Sequence, residues 1–277
     1  DFTGPEVPFS PDPLVAYRWP HPQPKDEVRI YIRRPRAVSA DRPESFSNLE
    51  SLLTGAPDVT VFGPGTIIVD FGLEYAGWFE IDSPDAPEGI LLSVSEYGEP
   101  AQLNDGPPAG KVFDKTIRPR RIGNTYRAEF NEAPQLRFEG VRFAFIHIPD
   151  EPAAPWRITG IRLVAQVKPA NYDGAFRCGD ERLNRIWYAN AYALRICCLR
   201  DYITPILVDR SDRYLWNGMD FHIYGKAALI AFNMYGFVRK QIEDIFLHGN
   251  EVRPGVPIDS GIHSYRLYNV LSLCQYF

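Results

Sequence analysis

Between residues 28 and 167 the apolar positions fall in short runs, several of period two. Over 28–33, Val28, Ile30 and Ile32 alternate with Arg29, Tyr31 and Arg33, as in a strand with one face on a core. The runs at 66–71, 77–81, 89–95, 125–130, 141–148 and 158–167 are likewise β-branched, apolar or alternating, and Gly72 is expected to end the first of them. Turn formers such as Asp82-Ser83-Pro84-Asp85 and Asn104-Asp105-Gly106-Pro107 separate the runs. Short strands punctuated in this way predict an antiparallel β-sandwich.

From about residue 172 the period lengthens to that of a helix. Asp180 is a good N-cap for a helix from Glu181 with the stripe Leu183, Ile186, Trp187, Ala191, Leu194 and Cys198. A loop over 201–218 holds Pro205. One long helix then follows over 221–247, with Ile223, Ala227, Ile230, Met234, Phe237, Ile242 and Ile245 at its apolar positions and Gly249 behind it. After Pro254 and Pro257, a last helix starts near Ser264 and carries Leu267, Val270, Leu271 and Cys274. Two or three helices bury too little for a barrel-type core, so a further segment or a second chain is expected to complete it. Most of the 25 prolines precede residue 170, which excludes long helices there. The predicted organisation is an extended Pro-rich arm over 1–27, a β-sandwich domain over 28–171 and helices over 172–277.

Composition narrows the function classes. The chain is 45% hydrophobic and 23% charged, ordinary for a globular protein. A net charge of −5 argues against a nucleic-acid partner. The longest apolar stretch, 227–237, is broken by Asn233 and falls short of the roughly 18 residues of a membrane span, so no membrane partner is expected. The chain opens on Asp1 without an initiator Met or a signal-like segment, as expected of a processed protein or a part of a longer one. The compartment (secreted, periplasmic or cytoplasmic) stays open. Cys178, Cys197, Cys198 and Cys274 match no metal spacing and read as buried small hydrophobes, with a Cys178–Cys274 disulfide as the alternative. The five His residues are scattered, so neither a metal nor a cofactor is implied.

Four stretches carry a resemblance. They are Val69-Asp70-Phe71-Gly72-Leu73-Glu74-Tyr75-Ala76-Gly77-Trp78, then Leu92-Ser93-Val94-Ser95-Glu96, then Phe138-Glu139-Gly140-Val141-Arg142-Phe143, and finally Gly174-Ala175-Phe176-Arg177-Cys178-Gly179-Asp180-Glu181-Arg182-Leu183-Asn184-Arg185-Ile186-Trp187. In this order they resemble glycoside hydrolase family 78, the α-L-rhamnosidases. The fourth, similar to the start of that family's catalytic domain, matches at the most positions. The resemblance implies a β-sandwich followed by the first helices of an (α/α)6 catalytic barrel, incomplete in this chain.

The family's catalytic run is similar to Val208-Asp209-Arg210-Ser211-Asp212-Arg213-Tyr214-Leu215-Trp216-Asn217-Gly218-Met219-Asp220. Ser211 replaces an Arg of the family pattern, and Met219 is inserted before Asp220. The resemblance makes Asp212 the general acid of an inverting glycosidase. Asp209 and Asp220 would accept hydrogen bonds from sugar hydroxyls, and Arg213 would orient a carboxylate or a hydroxyl. Trp216 would face the sugar's C–H side, and His222 would face the same pocket. The chemistry suits carboxylates: an inverting pair stands roughly 6.5–9.5 Å apart to admit a water, and crowding with burial raises the pKa of the acid. The family's base is a Glu from a later loop, so this chain is expected to lack it and to be incompetent alone, its partners being a rhamnosylated carbohydrate and the remaining barrel segment. The bland readings are loop ion pairs for Asp209-Arg210 and Asp212-Arg213, core packing for Trp216 and His222, and structural roles for Glu74, Glu96 and Arg142. Tyr265 and Asp259 are weaker candidates for a pocket wall. The alternative function is a non-catalytic carbohydrate-binding protein with a degenerate glycosidase site.

Overall fold

The computed structural model describes residues 29–96, 98, 118–128, 139–168, 170, 172–199, 203, 218–247 and 263–277; the expected arm over 1–27 lies outside them. The strands are β1 (Arg29–Arg33), β2 (Ala37–Ala40), β3 (Phe46–Ser47), β4 (Val59–Val61), β5 (Gly65–Asp82), β6 (Leu91–Ser95), β7 (Arg120–Ile122), β8 (Thr125–Ala128), β9 (Glu139–Ile148), β10 (Trp156–Ile158) and β11 (Gly160–Val167). The helices are α1 (Glu181–Cys197), α2 (Gly218–Phe232), α3 (Tyr235–Leu247) and α4 (His263–Tyr276). Eight strands form one sheet around β5, and β10, β4 and β3 form a second, three-stranded sheet. Every pairing between the described strands is antiparallel. Phe46, Val59, Val61, Trp156 and Ile158 of the small sheet share one core with Ile67, Val69, Phe79 and Leu92 of the large one, consistent with a β-sandwich.

The long strand β5 corrects one expectation. Two strands ending at Gly72 and restarting at Gly77 are a single strand with a register shift between Asp70 and Tyr75. Gly72 sits at φ +83, and Asp70 Oδ1 accepts its N–H at 2.7 Å, so the irregularity is absorbed inside the strand. Before the shift, burial alternates; after it, residues 75–81 are buried without interruption. Tyr75, Phe79 and Ile81 enter the sandwich core. Ala76 and Trp78, on the opposite face, pack with Val164 under Tyr192 and Ile196 of α1. A strand covered on both faces loses its period-two pattern.

The expected strand over 158–167 is also two: β10 and β11 belong to different sheets, and Thr159 between them donates its N–H to Asp82 O at 2.8 Å. The single helix expected over 221–247 breaks at Asn233, whose φ is +54; Asn tolerates that region better than most residues. Helix α1 starts where expected, with the Asp180 side chain accepting from Arg182 N at 2.8 Å. It ends at Cys197, and Cys198 is its C-cap. All four cysteines are free thiols, so no Cys178–Cys274 disulfide is present. Cys198 is buried, whereas Cys274 is exposed. No helix among the described residues is long and apolar enough to cross a membrane.

Candidate functional site

The motif stretches come together as structural joints. Asp70 of the first pairs with Arg142 of the third, Nε to Oδ1 at 3.3 Å and Nη2 to Oδ2 at 3.4 Å. At Gly77, a Cβ would collide with the carbonyl oxygen of Val164 on β11, so only glycine lets these strands approach. In the fourth stretch, Asn184 clamps the main chain of Cys178, accepting its N–H at 2.8 Å and donating to its O at 3.0 Å. Gly174 N, at the start of that stretch, donates to Ala231 O of α2 at 3.0 Å. The loop before α1 is thereby tied to the helices that carry the candidate site.

Of the site residues expected from sequence, Asp209, Asp212, Arg213 and Trp216 lie outside the described residues. Asp220 and His222 lie in the first turns of α2, which packs against α4. Gly218 opens α2 at φ +58, where a Cβ would run into the Tyr265 ring. Its N–H donates to Oδ1 of the buried Asn269 at 2.7 Å. Tyr265 donates its hydroxyl to Asp220 Oδ2 at 3.2 Å. A carboxylate in the first turn is also favoured by the N–H groups of the helix start. Burial, with Cys197 and Asp220 nearby, pushes the Tyr224 hydroxyl above its ordinary value.

His222 sits differently. Its Nδ1 lies 3.3 Å from Ser272 Oγ, and that hydroxyl donates to Tyr268 O at 2.8 Å. Because the Ser272 proton is spent on a carbonyl, its Oγ is left to accept from Nδ1–H of His222. The imidazole also lies against the Tyr268 ring, centroids 5.5 Å apart. It lines a cavity of 260 Å³ with Phe221, Lys226, Gln275 and Tyr276, and Asp220 is not part of that lining. Asp220 and His222 thus do not both line this cavity, since at a spacing of two helical side chains do not face one another; the pocket expected to hold both also takes in Asp209, Asp212 and Trp216, which lie outside the described residues. Sequence reasoning missed Asn269 and Ser272, and nothing local marks either. No group of three His, Cys, Asp or Glu suited to a metal occurs among the described residues.

No protein-family model matches the chain, and no curated protein matches it. Solved structures do. A rhamnosidase from Klebsiella oxytoca with rhamnose bound superposes with a TM-score of 0.64 at 18% identity, over 90% of this chain and 52% of that one. The GH78 family rhamnosidase of Bacillus sp. GL1 gives a TM-score of 0.54 at 19% identity, over 79% and 22%. The chain has a GH78-like fold. It spans about half the length of the Klebsiella protein and about a fifth of the Bacillus one. Within this GH78-like fold, the joints described above are the points at which its parts are held to one another.

Proposed function

We propose that this chain supplies the β-sandwich, residues 28–171, and the opening helices, residues 172–277, of an (α/α)6 barrel. The barrel would belong to a glycoside hydrolase that removes terminal α-L-rhamnose or a related sugar. The observation that carries the reading is the anchoring of the Gly218–Asp220 segment. The last residues of the catalytic-type run stand at a helix start, held by Asn269 and Tyr265, in a fold like that of rhamnosidases. Apolar side chains left exposed on all four helices, among them Ile186, Ile230, Phe246 and Leu267, support further barrel elements packing there.

In this reading Asp212 protonates the departing glycosidic oxygen, and a base from elsewhere in the barrel activates water on the far face, giving inversion. Asp209 and Asp220 accept sugar hydroxyls, Arg213 orients a carboxylate or a hydroxyl, and Trp216 takes the C–H face. His222 offers a further contact for a sugar hydroxyl.

Hydrolysis of p-nitrophenyl α-L-rhamnopyranoside by the full-length protein tests the proposal. Asp212→Asn is expected to lower kcat by roughly 100- to 10,000-fold, the usual worth of a general acid, with Tm unchanged. Asp220→Asn is expected chiefly to raise KM. A folded protein that leaves the rhamnoside intact would overturn the catalytic reading and favour a carbohydrate-binding one.

A further inference from the structure

A second concavity lies on the sandwich, and it shares no residue with the α2–α4 site. It measures 380 Å³ and is lined by the turn after β2, the start of β5, the start of β6 and the end of β9. That volume falls within the roughly 300–1,000 Å³ of small-molecule sites. Its polar wall is Asp41, Arg42, Thr66 and His147; its apolar wall includes Leu91 and Pro149.

The polar groups divide into fixed and available ones. His147 is fixed: Nδ1 lies 3.1 Å from Thr66 Oγ1 and Nε2 lies 2.7 Å from Ser93 Oγ. Asp41 is held by one oxygen, Oδ1 accepting Thr66 N–H at 2.6 Å, while its own N–H donates to Thr66 O at 3.2 Å. Its Oδ2 has no hydrogen-bond partner among the described residues, and neither has the exposed Arg42 guanidinium. An acceptor-only carboxylate and a donor-only guanidinium thus both line the trough, neither neutralised by the other through an ion pair.

The chemistry of that pair selects the ligand. An anion would meet Asp41 and a cation would meet Arg42, so neither simple ion suits the site. A neutral polyol suits it, because each hydroxyl both donates and accepts. A sugar ring adds an apolar C–H face for Leu91 and Pro149. Asp41, Arg42 and Pro149 are exposed, so the trough is open on one side and admits a residue whose neighbours in a chain project outward.

We propose that this trough binds a neutral sugar residue of a glycan chain, with Asp41 Oδ2 and the Arg42 guanidinium sharing vicinal hydroxyls and Leu91 and Pro149 taking the ring's C–H face. Such a site would be individually weak. Tethered to a second glycan site, it would raise the local concentration of substrate without touching the reacting bond. The choice of polymer for its test rests on the rhamnosidase reading; the binding itself does not need catalysis.

The test is affinity electrophoresis of the full-length protein through gels containing rhamnogalacturonan I or pectic galactan. The wild type is expected to be retarded by at least one polymer. Arg42→Ala, which removes an exposed side chain without a partner, is expected to weaken retardation by about 10-fold or more with Tm unchanged. Asp41→Asn keeps the acceptor for Thr66 N–H and is expected to weaken it too. An unretarded wild type, or an Arg42→Ala protein retarded as strongly as the parent, would overturn the proposal. Hydrolysis is not part of this readout, so an inactive enzyme leaves the result interpretable.

Discussion

Asn269 and Tyr265 reach back across the sequence to hold the start of α2, Asn269 through Gly218 and Tyr265 through Asp220. Gly218 has both a left-handed backbone and a ring pressed against the place where a Cβ would be. Gly218→Ala therefore meets two penalties, the conformation itself and the displacement of Tyr265. The first alone costs roughly 1–3 kcal/mol, and the second frees the Asp220 carboxylate from its donor. The expected outcome is a lowered Tm together with a raised KM for the rhamnoside; an unchanged melting curve would contradict the geometry at this position. Gly218 and Asp220 were legible because they lie in one short run. Their partners were not: the hydrogen bonds to Asn269 and Tyr265 span 51 and 45 residues, and no local periodicity marks a residue whose job is to meet another so far along the chain.

The elements obey the same division. A strand with one face on the core, such as β8, shows its alternation openly, and α1 announces itself through Asp180. The continuity of β5 is hidden in the sequence because Gly72 signals a stop that the sheet overrides with an internal irregularity. The break between α2 and α3 was missed because Asn233 lies in a continuous apolar run, and its backbone, not its side chain, makes the turn. Within β5, Glu80 shows what the sheet demands. It lies opposite Arg162 on β11 and Arg127 on β8. Fully buried, it accepts from Arg127 Nε and Arg162 Nε at 2.7 Å each, and from Trp78 Nε1 at 2.8 Å. Removing the central carboxylate would leave two half-buried guanidinium groups without their shared partner. Glu80→Ala is expected to cost roughly 3–5 kcal/mol, read by urea unfolding; a loss under 1 kcal/mol would show that water reaches the triad.

At the scale of the whole molecule, what matters is how the helices meet the sandwich. Tyr192 and Ile196 of α1 cover Ala76 and Trp78 of β5 and Val164 of β11, and the Tyr192 hydroxyl donates to the main-chain oxygen of Glu74. The price of this seam falls on the Glu74 carboxyl, which burial, reinforced by the charge of Glu96, pushes up to about 7. The ordinary value is 4.5. Below that, the folded and unfolded chains both carry the proton and Glu74 has no effect on stability. Between about 4.5 and about 7 the unfolded chain releases its proton while the folded one keeps it, so stability falls as pH rises. Above that window the loss is constant. The shift corresponds to an upper bound of about 3 kcal/mol, reduced to nearer ~2 kcal/mol by the partial exposure of the side chain. Glu74→Gln keeps the shape and cannot ionise. It is expected to flatten the decline in Tm between pH 5 and pH 8 and to exceed the wild type in stability at pH 8, with near-equal stability at pH 4. Parallel pH profiles for the two proteins would mean that water reaches the carboxyl, and that the seam between α1 and the sandwich is looser than its packing indicates.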